Sequence, residues 1–111
     1  MTPNEYQELA MRTLNKSVKL EDLLLNSALG LCGEAGEYAD LIKKMKYQGH
    51  EMDKTHLAKE LGDVCWYIAL GATALDVDIE AIMQMNIDKL KARYPDGFKP
   101  KNSMERANGD V

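Results

Sequence analysis

Apolar residues recur along most of the chain at steps of three and four, which is the spacing that gathers them on one face of an α-helix. The longest such run includes Leu24, Ala28, Leu31 and Ala35. No stretch of useful length alternates apolar and polar residues as a half-buried strand would. The pattern therefore predicts four helices: Thr2 to about Asn15, Leu20 to Tyr47, Asp53 to about Leu75, and Ile79 to about Arg93.

Capping residues mark the predicted helix starts. Thr2 and Glu5 have the spacing of a capping box, in which each residue accepts a backbone N–H bond at the first turn. Asp53 and Asp78 precede the third and fourth helices, where a short acidic side chain can accept from a free backbone N–H. With short connections between them, these helices indicate an all-α fold resembling a four-helix bundle.

The end of the chain has no helical pattern. Pro95, Gly97 and Pro100 are expected to stop regular structure, and residues 99–111 read as a mobile tail or as an arm laid on a partner. A chain of 111 residues is long enough for one core and too short for two. We therefore expect one helical domain over residues 1–98.

Charge and cysteine content limit the range of partners. A net charge of −4 gives no basic footprint for a nucleic-acid backbone. No apolar run approaches the roughly 20 residues needed to span a bilayer. Cys32 and Cys65 lie within apolar helical pattern and are expected to be reduced core thiols, and with no signal peptide in the sequence they predict a cytoplasmic protein.

Two pairs of acidic residues interrupt the apolar faces of the long helices. Glu34 and Glu37 are three residues apart on the second predicted helix, and Glu60 and Asp63 are three apart on the third. This spacing puts both members of a pair on one helix face. Because each pair lies in an apolar stretch, the bundle should turn the pairs towards each other. Four carboxylates at such distances repel, and a divalent cation reverses the sign of that interaction.

The donor types indicate which cation would fit. Both pairs offer only oxygen, which suits Mg²⁺, with Mn²⁺ as the alternative. His56 lies one turn before Glu60 and is expected to be solvated or to lie behind a ligand. Asp40 continues the acidic series, but Lys43 and Lys44 follow it at the spacing of an ion pair, which explains it equally well. A single Glu-x-x-Glu pair is common on solvated helices; two matched pairs favour a metal site.

The acidic motifs and their surroundings resemble a known family. GEAGE at residues 33–37 and ELGD at 60–63, with 22 residues between them, are similar to the E-x-x-E and E-x-x-D signature of the MazG-like all-α nucleoside triphosphate pyrophosphohydrolases. The segments LGLCGEAGEYADLIKK, KELGDVCWYIA and NIDKLKARYPDGF follow the family's order and cover most of residues 26–98. Gly33 stands where the fuller pattern has another Glu, as it does in the branch resembling dCTP pyrophosphatase.

The resemblance implies a function. It implies Mg²⁺-dependent hydrolysis of a (d)NTP to the monophosphate and pyrophosphate, in nucleotide-pool control or house-cleaning. Glu34, Glu37, Glu60 and Asp63 would hold the metal, and Glu34 or Glu37 would accept the proton of the attacking water. A bundle this small has little room to enclose a nucleotide, so size and resemblance together imply a homodimer or homotetramer.

Substrate contacts are expected from three helices. Asn86, Lys89 and Arg93 lie on one stripe of the last predicted helix. Cations near a helix C-terminus are often only solvated, but the resemblance of N-x-x-K-x-x-x-R-Y-P to the family's last helix favours phosphate contact. Tyr67 is one turn beyond Asp63, where it could line a base or sugar pocket. The predicted substrate-binding residues are Tyr67, Asn86, Lys89, Arg93, Tyr94 and, as a weaker candidate, Lys44.

Two other functions remain compatible with these residues. A dUTPase-like enzyme or a hydrolase of modified nucleotides would share the metal site and differ in its base pocket. A non-catalytic bundle that binds a nucleotide or a partner would use the acids only to hold a structural ion. The one tryptophan, Trp66, is expected in the core or at an interface, so cytosine specificity is not predicted.

Overall fold

The structure is a computed structural model that describes residues 1–111. Its regular structure is entirely helical, which confirms the all-α prediction. No helix is both long and apolar enough to cross a membrane. The chain forms two compact units, Met1–Ile79 and Glu80–Val111. The helices are α1 (Pro3–Ala10), α2 (Leu20–Tyr47), α3 (Lys54–Ala74), α4 (Ile79–Arg93) and α5 (Pro100–Met104), with a 3-10 turn at Met11–Thr13. A single four-helix bundle over residues 1–98 stays a prediction.

Two helix starts use the caps that the sequence predicts. The Thr2 hydroxyl accepts from the Glu5 backbone N–H at 3.1 Å, and the Glu5 carboxylate accepts from the Thr2 backbone N–H at 3.3 Å. At the start of α3, the Asp53 carboxylate accepts from the His56 backbone N–H at 3.0 Å. These bonds satisfy backbone donors that have no partner inside the helix.

The first helix is shorter than predicted. α1 ends at Ala10 and continues only as a 3-10 turn. The carbonyl of Ala10 accepts from the Trp66 indole N–H at 3.1 Å and from the Thr13 hydroxyl at 2.9 Å. Because this carbonyl is engaged by side chains, the α-helical ladder is not needed to satisfy it, and the chain turns away after one tighter turn.

The two long helices form an antiparallel hairpin with a close backbone approach. A Cβ on Gly30 would lie 2.0 Å from the Tyr67 ring, and one on Gly71 would lie 3.4 Å from the Ser27 hydroxyl. The earlier residue of α2 thus faces the later residue of α3, which fixes the antiparallel direction. Small residues at these positions let the helices approach and give the Tyr67 ring its place.

The Gln7 side chain of α1 forms hydrogen bonds with the end of α3 and with the segment that leads into α4. Its amide N–H group donates to the Thr73 hydroxyl at 3.1 Å and to the Val77 carbonyl at 3.0 Å. Its amide oxygen accepts from the Ile79 backbone N–H at 2.8 Å. One side chain therefore fixes the end of α3 and satisfies a free donor at the start of α4.

The prediction of core thiols is wrong. Cys32 and Cys65 are free, as expected, but both are exposed in the chain. The helical period identifies the apolar positions of each helix but not which side of the helix meets its hairpin partner. On α2, Leu31 and Tyr38 are half-buried, whereas the apolar residues of the adjacent face, including Cys32, are exposed to solvent.

The second unit contains more regular structure than the sequence indicated. α4 ends at Arg93 as predicted, and the rings of Tyr94 and Phe98 then pack at 5.4 Å between centroids. The prediction that regular structure stops at Pro100 is wrong, because Pro100 begins α5. Proline fits the first turn of a helix, where its missing N–H has no partner to lose.

Candidate metal centre

Three acidic side chains from α2 and α3 converge on one point. Glu34, Glu60 and Asp63 each offer a carboxylate oxygen, and these atoms lie within 4.8 Å of one another. Glu34 and Glu60 are half-buried, whereas Asp63 is exposed. Glu34 follows Gly30 by one turn, and Asp63 precedes Tyr67 by one turn. The hairpin contact between Gly30 and Tyr67 therefore brings the acids of the two helices together.

The electrostatics of this acidic cluster, defined as Glu34, Glu60 and Asp63, are unfavourable without a cation. Burial raises the pKa of Glu34 above its ordinary value, and the charges of Asp63 and Glu60 raise it further. Glu34 also contacts the Glu60 carboxylate directly. Carboxylates held this close retain a proton or take up a positive partner. The folded chain therefore favours positive charge at this point.

Glu37 lies beside the acidic cluster rather than in it. Its side chain is exposed and it is not among the three residues whose ligand atoms converge. Its charge nevertheless contributes to the raised pKa of Glu34. Glu37 is one turn beyond Glu34 on the same face of α2. Because Glu37 is exposed, it lies on the side of the cluster that is open to solvent, called here the open side. Its roles as a ligand and as a proton acceptor stay predictions.

His56 supports one of the converging carboxylates. Its Nε2 atom lies 3.2 Å from Glu60 Oε1, and the imidazole is about half exposed. This contact spans one turn of α3 and agrees with the expectation that His56 is solvated or lies behind a ligand. The contact restricts the rotamers that the Glu60 side chain can adopt.

Asp40 and Lys44 form an ion pair, the alternative that the sequence left open. Asp40 contacts Lys44 at 2.8 Å and Lys43 at 3.0 Å. Hydrogen bonds from Lys44 and Lys43 hold the pKa of Asp40 below its usual value. The same contact with Asp40 raises the pKa of Lys44. A phosphate role for Lys44 stays a prediction and would require it to exchange Asp40 for substrate.

The two aromatic residues after Asp63 have different surroundings. Tyr67 is half-buried with its ring over the backbone of Gly30, one turn from the acidic cluster. Trp66 donates its indole N–H to Ala10 and Thr13 of the α1 region, at 3.1 and 2.9 Å. Trp66 is therefore held in the packing of α1, in line with the expectation that it is a core or interface residue.

Tyr6 is a neighbour of the site that the sequence patterns did not single out. It is half-buried, and burial raises the pKa of its phenol, with smaller contributions from Cys65 and Asp63. α1 thus brings a phenol into the electrostatic range of the acidic cluster. The available signal was its position next to Gln7 on a short amphipathic helix, which does not distinguish packing from function.

The predicted phosphate-binding residues of α4 belong to the second unit. Asn86 is exposed, Lys89 is half-buried, and Tyr94 lies beside the Arg93 guanidinium at 5.8 Å. The Arg93 side chain is only 10% exposed, and Asp110 accepts two bonds from it, at 2.8 Å from Nε and 2.6 Å from Nη2. This partner was not predicted, because Asp110 lies in a segment with no periodic pattern.

A family model supplies the decisive comparison. Residues 24–98, more than half of the chain, match the model of the MazG nucleotide pyrophosphohydrolase domain. The chain belongs to the MazG nucleotide pyrophosphohydrolase family. This MazG chain is also 40% identical over 73 residues to the "Gene 37 protein" of Mycobacterium phage L5. The match covers 62% of the chain and 64% of that relative, just under two thirds of its length. No solved structure gives a significant match.

The acidic cluster of this MazG chain fits a hard divalent cation. All three converging donors are carboxylate oxygens, which is the ligand class of Mg²⁺ and Mn²⁺. Burial and, after it, the charges of Asp63 and Glu60 raise the pKa of Glu34, and a bound cation would relieve that repulsion. The matched region contains all three residues of the cluster, so the family assignment and the donor geometry concern the same residues.

Proposed function

We propose that this protein is a Mg²⁺-dependent nucleoside triphosphate pyrophosphohydrolase that cleaves a (d)NTP to the (d)NMP and pyrophosphate. The observation that carries the proposal is the convergence of Glu34, Glu60 and Asp63 from two helices of a MazG-family chain. Control of the nucleotide pool, or removal of unwanted nucleotides, is the role we propose for this reaction.

Glu34, Glu60 and Asp63 would hold the cation, with Glu37 as a further ligand from the open side of the cluster. Mg²⁺ is the proposed ion and Mn²⁺ is an alternative with the same preference for oxygen. When bound, it would neutralise triphosphate charge and polarise the phosphoryl oxygens. His56, in contact with Glu60, would keep that carboxylate aimed at Glu34.

Glu34 and Glu37 are the proposed proton acceptors for the attacking water. Glu34 belongs to the acidic cluster that would hold the cation and the water it activates. Glu37 is exposed beside it and accessible to water from the open side. Either carboxylate can accept the proton directly or through a second water as the water attacks the α-phosphorus in line.

The remaining predicted residues are assigned to the substrate. Tyr67 would contact the base or sugar, because its ring lies one turn from the acidic cluster. Lys89 and Arg93 would neutralise phosphate charge, and Lys44 would do so if it releases Asp40. Asn86, on α4, and Tyr94, which follows α4, are the remaining proposed substrate contacts.

We also propose a homo-oligomer, a homodimer or homotetramer, formed through exposed apolar faces of the hairpin. The stripe on α2 consists of small and aliphatic side chains that alternate at steps of three and four, the spacing of knobs-into-holes packing. α3 carries a shorter stripe of the same kind. The exposed residues are Leu25, Ala28, Cys32, Ala35, Ala39 and Ile42 on α2, and Ala58, Leu61, Cys65 and Ile68 on α3.

A charge placed on the α2 stripe tests this assembly. Ala35→Arg should shift the sedimentation coefficient to that of a monomer while the helical circular dichroism is kept, because a charged side chain cannot be buried unpaired. Lys46→Arg, on the same helix with its charge kept, serves as the control. An unchanged sedimentation coefficient for Ala35→Arg would exclude this face as the interface.

The activity is tested with a panel of canonical and modified triphosphates, Mg²⁺ and detection of pyrophosphate. Asp63→Asn and Glu37→Gln should lose turnover and keep the helical fold. Asp96→Asn and Glu51→Gln, which make the same charge changes at exposed positions, should remain active. Near-normal activity of Asp63→Asn would refute the metal site. Absence of turnover on every triphosphate would refute catalysis and favour the non-catalytic bundle.

A further inference from the structure

The second unit contains a pocket lined by more cationic than acidic side chains, and an aspartate of the same chain forms part of its wall. The pocket has a volume of about 470 Å³, and its charged lining comprises the cationic residues Lys89, Arg93 and Arg106 and the acidic residues Glu105 and Asp110. The Asp110 carboxylate receives both bonds of the Arg93 guanidinium. Cations therefore remain in excess with Asp110 in place.

The bond geometry at Arg93 is the geometry of anion recognition. Two parallel N–H bonds from one guanidinium to two oxygens bind a carboxylate and a phosphate in the same way. Both side chains are largely covered, Arg93 at 10% and Asp110 at 14% exposure, so water does not replace either partner easily. The hydrogen bonds from Arg93 lower the pKa of Asp110, and the charges of Arg106 and Lys89 lower it further.

The segment that carries Asp110 is held by few other bonds. Asp110 N–H donates to the Ala107 carbonyl at 3.1 Å, and Gly109 between them has a φ of 84°. That bond and a glycine with positive φ are typical of a type II β-turn. A small turn without apolar anchors can leave the pocket without unfolding α4, so its departure needs little reorganisation.

We infer that Asp110 is an internal substitute for a phosphate group in the pocket of Lys89, Arg93 and Arg106, and that a phosphate of the substrate displaces it. The inference rests on the proposed function, which assigns phosphate contact to Lys89 and Arg93. It adds Arg106 as a phosphate contact and makes the 107–110 turn an intramolecular competitor. Substrate affinity then depends on the fraction of molecules in which the turn has left.

The test measures pyrophosphate binding by calorimetry on the full chain in EDTA, so that the acidic cluster cannot contribute through a metal. If Asp110 occupies the pocket about 70–90% of the time, Asp110→Asn should tighten binding by about three- to tenfold. Asp96→Asn removes the same charge from an exposed residue of the same unit and should leave affinity within twofold of wild type. Arg106→Gln should weaken binding in the Asp110→Asn background.

A second measurement follows the Arg93 side chain directly. Its Nε–H resonance in the wild-type protein should shift on addition of pyrophosphate, and Asp110→Asn should shift it before any is added. Equal affinities of Asp110→Asn and Asp96→Asn, weaker binding by Asp110→Asn, or no pyrophosphate binding at all would each overturn the inference. Because no turnover is measured, failure of the hydrolase proposal is recognised separately, by intact pyrophosphate binding in a protein that hydrolyses no triphosphate.

Discussion

Gly30→Ala tests the close approach that brings the acidic cluster together. The added Cβ would lie 2.0 Å from Tyr67 Cε1 and 2.4 Å from two further ring atoms. Ordinary contact begins at 3.4 Å, so the ring has to move by about 1.4 Å or the helices have to separate. An aromatic ring cannot bend away as the end of a flexible chain can, and every response disturbs the place of Tyr67.

The expected loss of stability follows from two opposing effects. Overpacking at a well-packed contact costs about 1–3 kcal/mol, and an overlap of this size belongs at the upper end. Alanine regains about 1 kcal/mol over glycine within a helix. The net loss should be about 2 kcal/mol, which lowers the melting temperature of a chain of this length by about 8 °C.

Gly33→Ala is the matched control on the same helix. A Cβ there meets no atom within 4 Å, so this variant keeps the gain in helix propensity without the clash. Thermal unfolding in EDTA should show Gly30→Ala less stable than wild type and Gly33→Ala equal to it or more stable. With a triphosphate substrate, Gly30→Ala should also raise KM, because Tyr67 is displaced.

Equal melting temperatures for Gly30→Ala and Gly33→Ala would refute this reasoning. They would mean that the Tyr67 ring does not lie on Gly30 in solution. The contact between Gly30 and Tyr67 would then no longer explain the register of α2 and α3, or why Glu34 meets Asp63.

The other predictions concern the charge and packing around the acidic cluster. The pKa of Glu34 is raised by folding, so the folded state binds the extra proton, and the free energy of unfolding in EDTA should fall as pH rises from 4.5 through the folded pKa. Glu34→Gln should flatten that pH dependence and lose the stabilisation by Mg²⁺ at pH 7. Glu51→Gln should retain both. A wild-type pH profile for Glu34→Gln would contradict the raised pKa of Glu34. Trp66→Phe removes the indole donor to Ala10 and Thr13 and should lower the free energy of unfolding by about 1–2 kcal/mol in urea titration, with the Mg²⁺ stabilisation kept. An unchanged urea midpoint would mean that these bonds do not hold α1.

The sequence was sufficient for features that depend on local spacing. α2 has its predicted bounds, and the Thr2–Glu5 and Asp53 caps form because capping needs only neighbouring residues. The three-residue spacing of Glu60 and Asp63 likewise put both on one side of α3, where they meet Glu34.

Features that depend on the path of the chain could not be read in the same way. A helical period identifies an apolar face but not which helix covers it. The period therefore predicted Cys32 and Cys65 in the core, whereas both are exposed. The contact between Arg93 and Asp110 joins a helix end to an irregular segment, so no period or motif predicts it. Tyr6 comes within electrostatic range of Asp63 only because α1 packs against α3.

The central claim is that the acidic cluster directs hydrolysis between the α and β phosphates. The most direct test is phosphorus NMR of a triphosphate, chosen from the panel, incubated with the protein and Mg²⁺ in water enriched in oxygen-18. Hydrolysis at the α-phosphorus should give equal amounts of nucleoside monophosphate and pyrophosphate, with the heavy oxygen in the monophosphate, and Asp63→Asn should give no reaction. Release of orthophosphate with a nucleoside diphosphate, or the heavy oxygen in pyrophosphate, would contradict it.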